Sequence, residues 1–238
     1  MSILITICAR GGSKGIPGKN IKLLNGKPVL AYTIDVALQF SKKHSAHIGL
    51  STDSDAIKKV AQKFGVHTEY TRPAMLAGDK TGKAVVIKEL KEYEEKRLGV
   101  TFDYVIDLDV TAPMRNLSDL EIAFESLKSI TEAYNIFSVN PASRNPYFNM
   151  VETHNDGFVR LVKDIGPVLT RQSTPKVYDM NASFYIFRQK FFTDNCTTST
   201  TQKSLAYVMP HLCFDLDEPL DFLFMEYLFS NNLLDFEL

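Results

Sequence analysis

Neither sign of charge is in excess: 27 Lys and Arg stand against 28 Asp and Glu in 238 residues, a formal net charge of −1. That balance excludes the bulk attraction by which a protein gathers nucleic acid or an anionic membrane, so any anion must be bound locally. Cysteine is scarce. Cys8, Cys196 and Cys213 are odd in number and far apart, which fits neither a disulfide framework nor a metal knuckle. They read as reduced thiols, with Cys8 and Cys213 as small core residues inside apolar runs. No apolar run approaches the ~20 residues of a membrane span. The segment ILITICA behind Met1 and Ser2 lacks the basic flank and cleavage site of a secretory signal, so no membrane partner and a cytoplasmic setting are expected. Hydrophobic residues at 45% and charged residues at 23% exclude a disordered chain or a fibre, and the length suits a single domain over residues 1–238.

What is present is an alternation of strand and helix. Residues 3–9 form an apolar, β-branched run that ends in a glycine-rich segment, the pattern of a buried parallel strand feeding a loop. Residues 29–40 carry apolar positions at helical spacing behind Pro28. The rhythm continues with a strand at 47–51, helices at 55–64 and 85–96, a strand at 104–108, a helix at 120–127 and a strand at 133–139. This predicts an α/β fold with a mostly parallel sheet covered on both faces. From 141 to 179 the pattern changes: two Asn-Pro pairs, an Asn-Asp-Gly turn and alternating apolar residues predict an antiparallel excursion. A strand at 183–187 returns to the sheet, and 219–233 reads as a helix apolar nearly all round and buried.

The segment CARGGSKGIPGKN, residues 8–20, combines four glycines with Arg10, Lys14 and Lys19 at the end of the first strand. Glycines let a backbone approach a polyphosphate and the cations neutralise it. Ser13 stands where a Walker loop needs glycine, and Asn20 replaces its Ser or Thr, so this is a different phosphate loop. Asp215 and Asp217 alternate in a strand-like run, which puts both carboxylates on one face where they can share a hard cation. Asp107 and Asp109 form a second same-face pair.

Residues 9–20 resemble the signature of the acylneuraminate cytidylyltransferases, matched here by Ala9, Arg10, Ser13, Lys14, Gly15, Ile16, Pro17, Lys19 and Asn20. The resemblance continues through STDSDAI, TRPAMLAGDKT, DLDVTAPMR, MNASFYIF and FDLDEPLD and covers nearly the whole chain. It implies a Rossmann-like three-layer nucleotidyltransferase fold. It also implies CTP and a nine-carbon 2-keto sugar acid as partners, Mg²⁺ as cofactor, and a homodimer in which 141–179 is the dimerisation segment. By the same resemblance, Arg10, Gly11, Ser13, Lys19 and Asn20 bind the nucleotide, with Arg10 and Lys19 assisting catalysis. Arg72 and the loop from Asp79 to Lys83 lie beside the cytidine and ribose.

Asp215 and Asp217 hold the metal, and the base is Asp217 or a hydroxide on that metal. The position of Asp109 is Gln in many sialic acid synthetases and faces the sugar, so an acid there implies a sugar with a different hydrogen-bonding edge; alternatively it joins the metal site. Arg171 and Gln172 match an Arg-Gln pair that reaches the sugar, where a guanidinium suits a carboxylate. Asn181 and Tyr185 complete the sugar set, and Arg171 is expected to serve a partner's site.

The expected reaction is attack by the C2 hydroxyl of the sugar acid on the α-phosphorus of CTP, giving a CMP-sugar and pyrophosphate for bacterial surface glycan synthesis. The stretches NPYFNMVE and KVYDMNASFY, with Phe148 in place of a lysine, favour N,N'-diacetyllegionaminic acid; N-acetylneuraminic acid is the alternative. A ketodeoxyoctulosonate synthetase is disfavoured by Ser-Lys-Gly followed by Lys-Asn. A sugar-phosphate hydrolase is disfavoured because the first strand has no Asp. A non-catalytic sensor would have lost the metal carboxylates or the basic loop residues, and both are retained.

Overall fold

Residues Ile3–Cys8 form β1, and the burial of Ile3, Leu4, Ile5 and Ile7 explains why both faces of this strand are apolar. The computed structural model describes residues 1–78 and 81–238; Asp79 and Lys80, at the head of the loop expected beside the ribose, lie outside the described residues. After β1 come a 3₁₀ turn at Lys19–Ile21 and the short pair β2 (Leu23–Leu24) and β3 (Lys27–Pro28). Next are α1 (Val29–His44), β4 (His47–Ser51), α2 (Asp55–Lys63), α3 (Lys83–Leu98), β5 (Tyr104–Asp109), α4 (Leu117–Ser129) and β6 (Asn135–Pro141). The excursion holds β7 (Val151–Thr153), β8 (Val159–Leu161) and a 3₁₀ turn at Arg171–Ser173. The chain closes with β9 (Tyr178–Arg188), α5 (Gln189–Thr193), β10 (Ser204–Val208) and α6 (Pro219–Ser230).

The main sheet has the order β10-β6-β9-β5-β1-β4. Its neighbours are parallel except around β9, which runs antiparallel to both β5 and β6. Alternation in β1 sends Ile5 and Ile7 to a layer containing Ile34 and Phe40 of α1, Phe124 of α4 and Met225 of α6. Leu4 goes to the opposite layer, with Ile87 of α3, Phe187 of β9 and Phe191 of α5. Each such aliphatic side chain contributes about 1.5–3 kcal/mol when fully buried. The result is the expected three-layer α/β sandwich. Among the described residues, no helix is long and apolar enough to cross a membrane.

Local signals set the helix starts. The Ser54 hydroxyl accepts from the Ile57 amide at the head of α2, and Asn116 and Asp119 cap α4 reciprocally. At α6 the carboxylate of Asp221 accepts from the amides of Asp217 and Glu218 at 3.0 and 2.7 Å, so the carboxylate of Asp217 is not needed as the cap.

Three expectations need correction. The last helix is not buried all round: Phe222, Met225, Leu228 and Phe229 are buried, whereas Leu220, Leu223, Phe224 and Tyr227 are exposed, Leu220 at 72%. An outer-layer helix presents only one stripe to the sheet, whatever its composition. Residues 214–217 do not belong to a strand; they are tied to the turn after β5 by the Leu216 amide, which donates to the Thr111 carbonyl at 2.8 Å. Cys8, the last residue of β1, is only partly buried: it packs against the second core layer and also lines a cavity. The antiparallel hairpin appears as β7 and β8, with Val151 opposite Leu161.

Candidate active site

Because β1, β4 and β5 are parallel, their carboxyl ends share one edge of the sheet. The chain leaves β1 for β4 on one side and returns at β5 on the other, and such a switch opens a crevice. A cavity of about 370 Å³ occupies it.

One close approach shapes the loop on its rim. A Cβ at Gly15 would lie 2.2 Å from the backbone oxygen of Asp217, so only glycine lets the loop abut residues 214–217. Gly18 adopts φ +65° and starts the 3₁₀ turn that carries Lys19 and Asn20. The ammonium of Lys19 donates to the Leu216 carbonyl and stands 3.6 Å from Asp217 Oδ1. Asn20 Nδ2 donates to the Arg10 carbonyl at 2.8 Å and closes the loop. Its buried Oδ1 has no partner among the described residues. Arg72, only 6% exposed, is held by Ser51: Nε donates to Oγ and Nη2 to the carbonyl, each at 2.9 Å.

The inner wall is acidic and pinned. Lys83, the first residue of α3, bonds Asp109 Oδ2 and lies 3.3 Å from Asp107 Oδ2. Asp109 Oδ1 accepts from the amide and hydroxyl of Thr111, both at 2.8 Å. Burial works to raise the pKa of Asp109, but Lys83 and Thr111 outweigh it and hold it at about 2. Burial likewise works against the charge of Lys83, and Asp109 with Asp107 overcomes it, leaving the ammonium well above the usual lysine value. The thiol of Cys8 is pushed up by burial and by the charge of Asp107, which keeps it protonated.

Behind this wall Arg115 is fully buried. Its guanidinium donates to the carbonyls of Asp109, Ala112 and Ser183 and to the Thr33 hydroxyl at 2.7–2.8 Å, clamping the turn after β5. Burial lowers its pKa to about 10.

Asp217 lines the cavity and Asp215, two residues before it, does not; together they are the pair that could hold a cation. The pKa of Asp215 is raised, first by burial and then by the like charge of Asp217, with Lys19 acting in the opposite direction. Among the described residues no group of three or more His, Cys, Asp and Glu is arranged for a metal. A two-carboxylate set fits Mg²⁺, which keeps several waters and takes its other oxygens from substrate phosphates.

The structure brings Arg10, Ser13, Lys19, Asn20, Arg72, Lys83, Asp109 and Asp217 to this one cavity. Other expected site residues lie elsewhere. Gly11 does not line it; its amide donates to Asp53 Oδ1 at 2.7 Å. Tyr185 is buried beneath Lys83, its ring 4.9 Å from the ammonium. Asn181 is buried in a side-chain network, accepting from Ser138 Oγ at 2.6 Å and donating to Asn140 Oδ1 at 2.9 Å. Arg171 and Gln172 open onto a different cavity, of about 680 Å³, where Arg171 donates to the Ala142 carbonyl. Sequence reasoning missed Thr111 and Arg115 as individual residues, although both sit in the DLDVTAPMR segment. Thr111, two positions after Asp109, was the readable signal.

Comparison with known proteins agrees with this geometry. The chain is 42% identical over 228 residues to the CMP-N,N'-diacetyllegionaminic acid synthase of Campylobacter jejuni, covering 96% of this chain and 95% of that one. It is 41% identical to post-translational flagellin modification protein B of Campylobacter coli, covering 97% and 96%. A solved CMP:2-keto-3-deoxy-manno-octonic acid synthetase complexed with CTP superposes with a TM-score of 0.68 at 16% identity over 98% of this chain and all of that one, a likeness of fold. The Cytidylyltransferase family matches residues 4–228. That match runs from within β1 to the last turns of α6 and takes in every residue lining the crevice, and the chain belongs to the cytidylyltransferase family.

Proposed function

We propose that this cytidylyltransferase couples CTP to a nonulosonic acid, N,N'-diacetyllegionaminic acid, and releases CMP-nonulosonate and pyrophosphate. The observation that carries the reading is the contact of the basic glycine loop with residues 214–217, Lys19 against Leu216 and Asp217, beside the acidic wall at Asp109. The sugar follows from the 42% identical relative of that name and from the acid at position 109.

In this reading Arg10, Lys14 and Lys19 receive the triphosphate at the rim, where glycines let the backbone approach. Arg72 and the unpartnered Oδ1 of Asn20 provide polar groups for the nucleoside. The C2 hydroxyl oxygen of the sugar acid attacks the α-phosphorus, the bond to the bridging β-phosphate oxygen breaks, and pyrophosphate leaves with that electron pair. The hydroxyl proton passes to Asp217. Mg²⁺, held by Asp215 and Asp217, would neutralise charge on the α-phosphate and the leaving group. Lys19 holds the rim in place and adds positive charge to the phosphate site.

The active unit is read as a homodimer in which 141–179 packs on a second copy and delivers Arg171 and Gln172 to its crevice. Support comes from the exposed Val151, Phe158, Val159 and Leu169 on that excursion, and from Arg171 and Gln172 lining a cavity other than the one lined by their own Lys19 loop. A cytoplasmic setting suits the three free thiols.

The test is pyrophosphate release from CTP and Mg²⁺ with N,N'-diacetyllegionaminic, N-acetylneuraminic, diacetylpseudaminic and ketodeoxyoctulosonic acids in parallel, with and without EDTA. Preference for the first supports the reading. Preference for N-acetylneuraminic acid overturns the sugar assignment, and no release with any of them overturns the reaction.

A further inference from the structure

Lys83 occupies a position that local physics disfavours. It is the first residue of α3, where the helix dipole presents its positive end, and the first turn contains no acidic residue to compensate. The N-cap, Gly82, provides no side-chain bond. A cation is retained at such a point when a tertiary partner requires it.

That partner is the acidic pair at the end of β5. The Lys83 ammonium engages Asp109 Oδ2, approaches Asp107 Oδ2 at 3.3 Å, and lies 4.9 Å over the ring of Tyr185. Asp107 is wholly buried, and its other oxygen accepts from the Thr6 hydroxyl at 2.8 Å. Lys83 thus offsets two carboxylates, and the three groups together carry a formal charge of −1. The Arg115 guanidinium behind the wall offsets that charge, so what the cluster offers the cavity is an acceptor for a hydrogen-bond donor. With Lys83 on one oxygen and Thr111 bonded twice to the other, the Asp109 carboxylate is fixed in rotation and remains a pure acceptor on the cavity wall.

We infer that Lys83 is a positioning residue for Asp109 rather than a ligand of the nucleotide: it holds that carboxylate in place as the group that reads a hydrogen-bond donor on the sugar acid. This rests on the proposed reaction for its sugar half and stands independently of it for its CTP half.

The experiment compares wild type with Lys83→Met, Lys83→Arg, Asp109→Asn and the Lys83→Met/Asp109→Asn double variant. KM is measured separately for CTP and for N,N'-diacetyllegionaminic acid, and CTP binding is measured by calorimetry without sugar. Lys83→Met is expected to raise the KM for the sugar acid about tenfold or more while CTP affinity stays within about twofold. Lys83→Arg, which keeps the charge, is expected to restore the sugar KM to within a fewfold. The double variant is expected to lose little beyond Asp109→Asn, because both changes break one link. Weakened CTP binding in Lys83→Met, or losses that simply add in the double variant, would overturn the inference. If wild type releases no pyrophosphate, the proposed reaction fails, and the calorimetry still decides whether Lys83 binds nucleotide. Lys83→Gln, which keeps a donor toward both carboxylates, takes the place of the methionine variant if that one does not fold.

Discussion

Replacing Gly15 by alanine tests whether the phosphate loop and residues 214–217 form one assembled site. The added Cβ would fall 2.2 Å from the Asp217 carbonyl oxygen, where ordinary contact begins at 3.4 Å, so the loop must retreat by about 1.2 Å. The obstacle is backbone on both sides, and no side-chain rotation relieves it. Retreat lengthens the link from Lys19 to Leu216 and Asp217 and misplaces the cations relative to the carboxylates proposed to hold Mg²⁺. A displacement of this size typically costs about 10²-fold, or roughly 2.7 kcal/mol of transition-state stabilisation, so kcat/KM for CTP should fall by about that factor. Overpacking should also lower stability by about 1–3 kcal/mol, each kcal/mol lowering Tm by about 2–4 °C in a chain of this size. Gly12, whose Cβ would meet nothing within 4 Å, is the comparator for stability, and Gly12→Ala should melt with wild type. The assay is coupled pyrophosphate release with a thermal melt. A Gly15→Ala enzyme with wild-type kcat/KM and Tm would refute the close approach and the site built on it.

Arg115→Leu should destabilise the fold by about 2–4 kcal/mol, because three buried carbonyls each lose a charged donor; an unchanged urea midpoint would show that the turn after β5 needs no clamp. Asp217→Asn should raise the Mg²⁺ concentration for half-maximal pyrophosphate release at least about tenfold, and an unchanged magnesium titration would place the cation elsewhere. His211, bonded to Asp119 at 3.0 Å with Asp235 nearby and Phe236 stacked on its ring, has a raised pKa: burial lowers it, but the bonds to Asp119 and the Leu212 carbonyl outweigh that. A raised folded-state pKa contributes stability that is complete below the unfolded value near about 6.5 and is lost as pH rises through the folded value. The Tm gap between wild type and His211→Gln should therefore be widest near about pH 6 and narrow as the solution becomes alkaline; a constant gap would rule out the ion pair as its source.

Much of the scaffold was legible because its signals are local. The β-branched run at residues 3–9 and the helical spacing behind Pro28 act over a few residues, and β1 and α1 formed where those patterns stand, whereas the Asn116 cap starts α4 at Leu117, ahead of the expected 120. The loop at residues 8–20 was legible for the same reason, since glycine content and basic charge are properties of a short segment. The direction of β9 was not, because antiparallel pairing with β5 and β6 is set by partners 37 to 84 residues away. Nor was the exposed half of α6: composition describes all sides of a helix, while burial depends on how many sides meet the sheet.

By itself, then, the sequence determined the α/β alternation, the basic glycine loop and the same-face pair of Asp107 and Asp109, because periodicity and residue chemistry carry that information within a segment. Only the tertiary structure decided that Gly15 meets Asp217, that Lys83 turns to Asp107 and Asp109, that Asn181 is absorbed into a buried network, and that Arg171 opens onto a second cavity. These are contacts between segments distant in the chain. Their geometry comes from the order of strands in one sheet, which no local pattern encodes.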